Sequence, residues 1–229
     1  MKSGEPEIFQ SIQGEGITAG VPSVFIRLAT CNLACNWCDT KYTWDWRHYD
    51  YDTQVIQMPL EEIESKLVIY KVTNLVITGG EPLLQQDELS DLVESLTQRG
   101  FCCELETNGT IPPNPRMKNS VGQWNVSPKL SSSGNRPGTM ERPGALKTFS
   151  QIDSAWFKFV VVKPTDLDEI CELSDRYDIP ADRVLLMPEG TSQTTLEQRG
   201  KWVSEACIEK GFRFSPRLHI MLWGDKRGR

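Results

Sequence analysis

The chain has 229 residues, with 31 acidic side chains against 25 basic ones and seven cysteines. The length fits one domain with a sizeable core, and the acidic balance excludes a general nucleic-acid binder, which needs a basic stripe. No run approaches the ~20 apolar residues that span a bilayer, MKSGEPEIFQ lacks the apolar stretch of a secretory signal, and the odd cysteine count argues against a disulfide framework, so a cytoplasmic protein with reduced thiols and no membrane partner is expected.

In chain order, Gln13 and Glu15 fall in a glycine-flanked loop, and the first strand is expected over Ser23–Thr30, leading straight into CNLACNWCDT. Residues 41–58, rich in aromatics and charge, read as an insertion over that cysteine loop. Leu60–Tyr70 carries Leu60, Ile63, Leu67 and Tyr70 at helical spacing. Leu75–Thr78 is the next strand and is followed by Gly79-Gly80-Glu81-Pro82. A helix over Leu83–Arg99 puts Leu89, Leu92, Val93 and Leu96 on one face, with Gly100 after its end. Strands follow at Cys102–Thr107 and Trp124–Ser127. Residues 129–153, with SSSG and two Pro-Gly steps, read as a long loop. Its cations Lys129, Arg136, Arg142 and Lys147 could meet an anionic ligand or form a solvated face. Trp156–Val162 is a strand, Asp166–Arg176 a helix, Arg183–Met187 a strand, Thr195–Lys210 a helix, and Arg213–Leu222 a closing extended segment. Cys102, Cys103, Cys171 and Cys207 read as ordinary thiols.

Strands alternating with helices indicate parallel βαβ units. Six or seven strands are too few for a complete eight-fold barrel, so a single α/β domain built as a partial, open (βα) barrel of about six parallel strands is expected. Ligands of such sheets bind at the carboxyl ends of the strands. The cysteine loop, GGEP, ETNGT (Glu106–Thr110) and Ser127-Pro128-Lys129 all follow strands.

Cys31, Cys35 and Cys38 are separated by three residues and then two. Three such thiolates suit a 4Fe–4S cluster, and because a cube offers four irons, one iron is left open for a non-protein ligand. The alternative is a zinc site that borrows His48.

This Cys-x-x-x-Cys-x-x-Cys pattern, with Trp37 before its last cysteine, resembles the radical S-adenosylmethionine superfamily, as does GGEP downstream of it. Together with FQSIQGEG, Arg27, ETNGT and SPK, it is similar to the 7-carboxy-7-deazaguanine synthase (QueE) family over most of the chain. The resemblance implies cleavage of S-adenosylmethionine by a 4Fe–4S cluster that a flavodoxin or ferredoxin reduces. It implies radical contraction of 6-carboxy-5,6,7,8-tetrahydropterin to 7-carboxy-7-deazaguanine with loss of ammonia, a carbon–nitrogen lyase reaction on the route to queuosine, in a homodimer. Thr40 is implied to hold Mg²⁺. Trp37, Cys38, Asp39, Gly80, Glu81, Glu106, Asn108, Ser127, Pro128 and Lys129 are implied at the cofactor. Ile12, Gln13, Gly14, Glu15, Arg27, Thr78 and His219 are implied at the pterin. Met187-Pro188-Glu189-Gly190 either flanks the adenine or is a plain turn.

The residue types support several of these roles. Glycines let backbone approach a ligand. An amide and a carboxylate such as Gln13 and Glu15 can read a pterin's donor–acceptor edge. Arg27, in an otherwise apolar strand, needs an anion, either a substrate carboxylate or an internal Glu106 or Asp39. Glu81 either accepts from the cofactor's ammonium or starts the following helix. Thr40 either binds metal or caps the next element. His219 is either a substrate contact or a strand histidine with a structural bond. Rival functions are a glycyl-radical activating enzyme, a non-catalytic Fe–S protein and a zinc interaction module.

Overall fold

Alternation along the strands decides the architecture. Val24 and Ile26, Leu75 and Ile77, Cys103 and Leu105, Trp124 and Val126, Phe157 and Phe159, and Val184 and Leu186 all enter one buried apolar core. Residues two apart share a face, so this set faces the surrounding helices. Their neighbours Phe25, Arg27, Thr78, Glu106, Asn125 and Lys158 line a cavity on the other face.

The computed structural model describes residues 5–229. Strand β1 (Ile8–Ile12) runs antiparallel to β2 (Pro22–Leu28). Then β3 (Asn74–Gly79), β4 (Cys102–Thr107), β5 (Gln123–Val126), β6 (Ala155–Val161), β7 (Val184–Pro188) and β8 (Arg213–Phe214) add in sequence order, each parallel to its predecessor. Strands β1 and β8 are the two edges, so the barrel is open. Phe9 of β1 stacks on Phe25 of β2 at 5.1 Å.

Helices α1 (Tyr51–Gln54) and α2 (Leu60–Leu67) connect β2 to β3, and α3 (Gln86–Gln98) leads to β4. Next come α4 (Pro115–Ser120), α5 (Pro137–Met140), α6 (Pro143–Ser150), α7 (Asp166–Arg176), α8 (Gln193–Lys210) and α9 (Leu218–Trp223). Helix α3 buries Leu89, Leu92, Val93 and Leu96, each stabilising by about 1.5–3 kcal/mol as an upper bound. Gly100, at φ +87°, provides the left-handed turn after it. Among the described residues, no helix is long and apolar enough to cross a membrane.

Two sequence expectations are corrected. Residues 129–153 are not a continuous loop, because α5 and α6 both begin with proline at their first positions, Pro137 and Pro143. Proline suits that position, where the missing N–H has no helical partner, and α6 turns Ala145, Leu146 and Phe149 inward. The segment Arg213–Leu222 is extended only over β8. Ser215 then bonds to Leu186 and the chain turns into α9.

The amino-terminal end of the barrel is plugged. Glu104, 1% exposed, accepts from Thr18 Oγ1 (2.8 Å), Asn74 Nδ2 (2.8 Å), Gln123 Nε2 (3.2 Å) and Asn125 Nδ2 (3.2 Å). A buried carboxylate so surrounded has its lone pairs satisfied. The opposite end stays open.

Candidate active site

At the carboxyl ends of the strands lies a cavity of about 460 Å³. Of the residues the sequence assigns to cofactor, metal and substrate, all but Glu81 and Pro128 line it.

The cysteine loop is docked by the GGEP turn. Glu81 N–H donates to the Thr30 carbonyl at 2.8 Å, and Gly80 N–H to the Leu28 carbonyl at 3.0 Å. Thr30 holds φ +74°, unusual for a threonine. Gly79 and Gly80 are required by this close approach: a Cβ would stand 2.1 Å from the Leu28 oxygen or 1.8 Å from the Thr30 oxygen.

Each cysteine sulfur faces an N–H donor. Asn135 Nδ2 lies 3.1 Å from Cys35 Sγ, Trp44 Nε1 3.3 Å from Cys38 Sγ, and Asn108 Nδ2 at 4.0 Å from Cys31 Sγ. Burial pushes the Cys31 thiol up to about 11 and raises Cys35 as well. Metal binding must therefore displace those protons. Three thiols on one wall, with donors aimed at sulfur, are a donor set that fits an iron–sulfur centre. Among the described residues, no three His, Cys, Asp or Glu side chains gather tightly enough for a single ion. His48 is exposed and bonds Asp45 at 2.8 Å, so it does not complete a zinc site. Trp37 Nε1, beside the cysteines, is buried with no partner among the described residues.

Of the two roles open to Glu81, the structure takes the start of the following turn and not the cofactor contact. Its carboxylate is fully buried and accepts from Leu83 N (3.0 Å), Thr107 Oγ1 (2.8 Å) and Asn108 N (2.7 Å). It caps the 3-10 turn Pro82–Gln85 and ties that turn to the end of β4, and does not face the cavity. Burial raises its pKa against those three bonds. Pro128 likewise stays outside. Lys129 does face the cavity; its Nζ donates to Ser127 O and Oγ, both at 2.8 Å, and sits 5.6 Å above the Trp37 ring. Thr40 takes the cap position of the 3-10 turn Lys41–Thr43, but its hydroxyl makes no cap bond and lies 3.6 Å from Cys38 Sγ.

The opposite wall is polar and internally paired. Gln13 Nε2 donates to Glu106 Oε1 at 3.3 Å, and Thr78 Oγ1 to Glu106 Oε2 at 2.7 Å. Arg27 is partnered by Glu7 through Nε at 3.0 Å, and not by Glu106 or Asp39, the internal alternatives to a substrate carboxylate. Although burial opposes it, Tyr42, Glu7 and Asp39 leave the Arg27 pKa raised. Glu15 bonds Lys158 and receives Arg217 Nε at 3.1 Å. Burial pushes the Glu15 carboxyl up, but Lys158 and Arg217 outweigh it and hold it well below the usual range. Lys158 is correspondingly raised despite its burial. His219 lies on α9, not in a strand, with its ring against Gly14, where a Cβ would meet Nδ1 at 2.0 Å. Burial lowers its pKa, so it is neutral near pH 7.

Sequence reasoning missed Glu7, Tyr42, Asn125, Asn135, Lys158 and Arg217 and left residues 225–229 without a role; all are in or against this cavity. Lys158 had a usable signal: a lone cation in the apolar strand AWFKFVV, as Arg27 is in PSVFIRL.

The Radical SAM superfamily profile matches residues 25–118. The 7-carboxy-7-deazaguanine synthase of Pyrobaculum aerophilum is 41% identical over 225 residues, covering 97% of this chain and 96% of that one. The Halobacterium salinarum protein of the same name is 36% identical, covering 96% and 90%. The crystal structure of QueE from Escherichia coli superposes with a TM-score of 0.66 at 28% identity, covering 92% and 91%. Streptococcus suis SuiB, 14% identical with a TM-score of 0.57, shares the fold.

Proposed function

The chain belongs to the 7-carboxy-7-deazaguanine synthases of the radical SAM superfamily, and we propose from that premise how its own residues divide the work. It carries out the ring contraction of 6-carboxy-5,6,7,8-tetrahydropterin to 7-carboxy-7-deazaguanine. When bound, a 4Fe–4S cluster and S-adenosylmethionine supply a carbon radical that removes hydrogen from the substrate. Loss of ammonia makes the reaction a carbon–nitrogen lyase step.

The observation that carries the reading is one cavity in which three thiols face a wall of paired polar groups. Cys31, Cys35 and Cys38 would hold the cluster, and the N–H donors of Asn135, Trp44 and Asn108 would stabilise charge on their sulfurs. Trp37, Asp39, Gly80, Glu106, Asn108, Ser127 and Lys129 would bind S-adenosylmethionine. Lys129 is fixed by Ser127, which suits a point charge aimed at a carboxylate. Thr40, with its hydroxyl not used in capping, would supply one oxygen to Mg²⁺, a cation that keeps substrate and water ligands.

Arg27 would take the pterin carboxylate. Glu7 occupies its Nε–H, and its terminal nitrogens have no hydrogen-bond partner among the described residues. Ile12, Gln13, Gly14, Glu15, Thr78 and His219 would read the ring. Gln13 and Thr78 are tied to Glu106, and Glu15 to Lys158 and Arg217. A flavodoxin or ferredoxin would reduce the cluster, and a cytoplasmic homodimer is the proposed form.

The test is anaerobic turnover of the cluster-loaded protein with S-adenosylmethionine, Mg²⁺ and the tetrahydropterin. Formation of 7-carboxy-7-deazaguanine is expected. Cofactor cleavage with no deazaguanine would overturn the substrate assignment.

A further inference from the structure

Arg217 joins three loops that are far apart in sequence. Its Nε donates to Glu15 Oε1 at 3.1 Å, in the loop after β1. Its Nη1 donates to the Gly190 carbonyl at 2.7 Å, in the loop after β7. Its Nη2 donates to the Asp39 carboxylate, next to the last cysteine. The side chain is 8% exposed. A guanidinium is planar and its donors are rigidly forked, so holding two carboxylates and a carbonyl at once fixes the distances between the three loops. A lysine ammonium in its place keeps the charge but not the fork. Two bonds from backbone N–H groups reinforce the junction: Leu218 N–H to the Gly14 carbonyl at 2.8 Å, and Gly16 N–H to the Ser215 hydroxyl oxygen at 2.8 Å.

We propose that Arg217 is a positioning residue that couples the pterin loop at Gln13–Gly16 to the cysteine loop at Asp39, so that filling either half of the cavity orders the other. The inference rests on the assignment of those halves to pterin and S-adenosylmethionine. Neither ligand need touch Arg217. The binding that comes first orders the clamp, and the second ligand then meets a loop already in position. Linkage requires the effect to be reciprocal: each ligand tightens the other by the same factor.

The experiment measures S-adenosylmethionine affinity of anaerobic, cluster-loaded protein with and without saturating tetrahydropterin, and the reverse. Backbone hydrogen exchange over residues 13–16 and 39–43 is followed in the same samples. In the unmodified protein the pterin is expected to tighten S-adenosylmethionine by at least about 5-fold, the lower end of ordinary coupling. In R217K, with iron content and melting temperature retained, that factor falls to below about 2-fold and exchange rises in both segments together. If R217K does not fold, D39A, which removes one arm of the clamp, is expected to give the same loss of coupling. Equal coupling in the folded variant overturns the proposal, as does an unmodified protein that binds both ligands independently. An unmodified protein that binds no pterin at all overturns the functional assignment itself, and the coupling with it.

Discussion

The side-chain amide of Asn135 donates to the sulfur of Cys35 over 3.1 Å, although the residues are 100 positions apart. The bond exists because the 3-10 turn Ser131–Ser133 packs on the cysteine loop, with Asn36 N–H on the Ser133 carbonyl at 2.9 Å. Reduction adds negative charge to a cluster and strengthens donation to its sulfurs, so this bond raises the potential. N135A is expected to lower the midpoint potential of the loaded protein. A differential of about 1 kcal/mol corresponds to ~40 mV for one electron. An EPR-monitored redox titration checks the sign.

Two glycines are fixed by contact with neighbouring groups. In G80A the new methyl meets the Thr30 backbone oxygen, 1.8 Å from an ideal Cβ, and backbone cannot swing aside. Overpacking of this kind costs about 1–3 kcal/mol and sometimes more. A lower melting temperature and poorer cluster retention are expected. In G14A the methyl meets the His219 ring instead, at 2.0 Å from Nδ1. A side chain on α9 can move, so the fold is expected to survive while KM for the pterin rises, as steady-state kinetics will show.

Glu81 is a structural carboxylate. Removing it in E81A strands two buried backbone N–H groups, of Leu83 and Asn108, and the Thr107 hydroxyl. Each stranded group costs about 1–3 kcal/mol. A loss of at least about 3 kcal/mol in urea unfolding is expected, with E81Q milder because an amide oxygen can keep part of the network. An E81A protein as stable as the original, but unable to bind S-adenosylmethionine, would return Glu81 to the cofactor.

Much of this was legible in the sequence because periodicity and local motifs carry it. Helix α7 lies where apolar spacing puts it, at Asp166–Arg176, and the cysteine triplet needs no tertiary information. The strand β1 was not legible: IFQSI has too little alternation, and pairing with β2 makes it a strand. Helices α5 and α6 were masked by Pro-Gly steps that look like turns but begin helices. The partners of the predicted site residues were the least legible part. Arg27 finds Glu7, and Glu15 finds Lys158 and Arg217 from 143 and 202 positions away. Such pairings are set by the closing of the sheet, which no local pattern encodes.

The Glu15 ion pairs give stability a defined acid limb. The folded carboxyl titrates well below its ordinary 4.5, because Lys158 and Arg217 outweigh burial. Between those two values the unfolded chain binds more protons than the folded one, so stability rises with pH there. The contribution is complete above about pH 5 and drains away as pH falls toward the depressed value. In E15Q the same limb should be shallower by up to one proton's slope. Urea unfolding of the cluster-free chain at a series of pH values between about 6 and 3 measures it. Equal slopes would mean that Glu15 is not ionised against these partners.

Arg227, near the end of the chain, lines the cavity and competes for the anion that holds Arg27. Its Nε and Nη2 lie 3.1 and 3.0 Å from Glu7 Oε2, and its guanidinium stacks 3.8 Å from the Tyr42 ring. Glu7 Oε1 meanwhile accepts from Arg27 Nε and Tyr42 Oη, both at 3.0 Å. One buried carboxylate is thus shared between two arginines. Without Arg227, Glu7 turns its whole charge on Arg27, which is then less available to an anionic substrate. R227A is expected to raise KM for the pterin by roughly 5- to 30-fold, equivalent to about 1–2 kcal/mol. Cofactor cleavage in the absence of pterin should be unchanged, since no sulfur donor is touched. The double variant E7Q/R227A should recover part of the loss, because it removes the anion that traps Arg27. If R227A instead slows cofactor cleavage and leaves the pterin KM alone, the tail acts on the cluster side of the cavity and Glu7 is not its point of control.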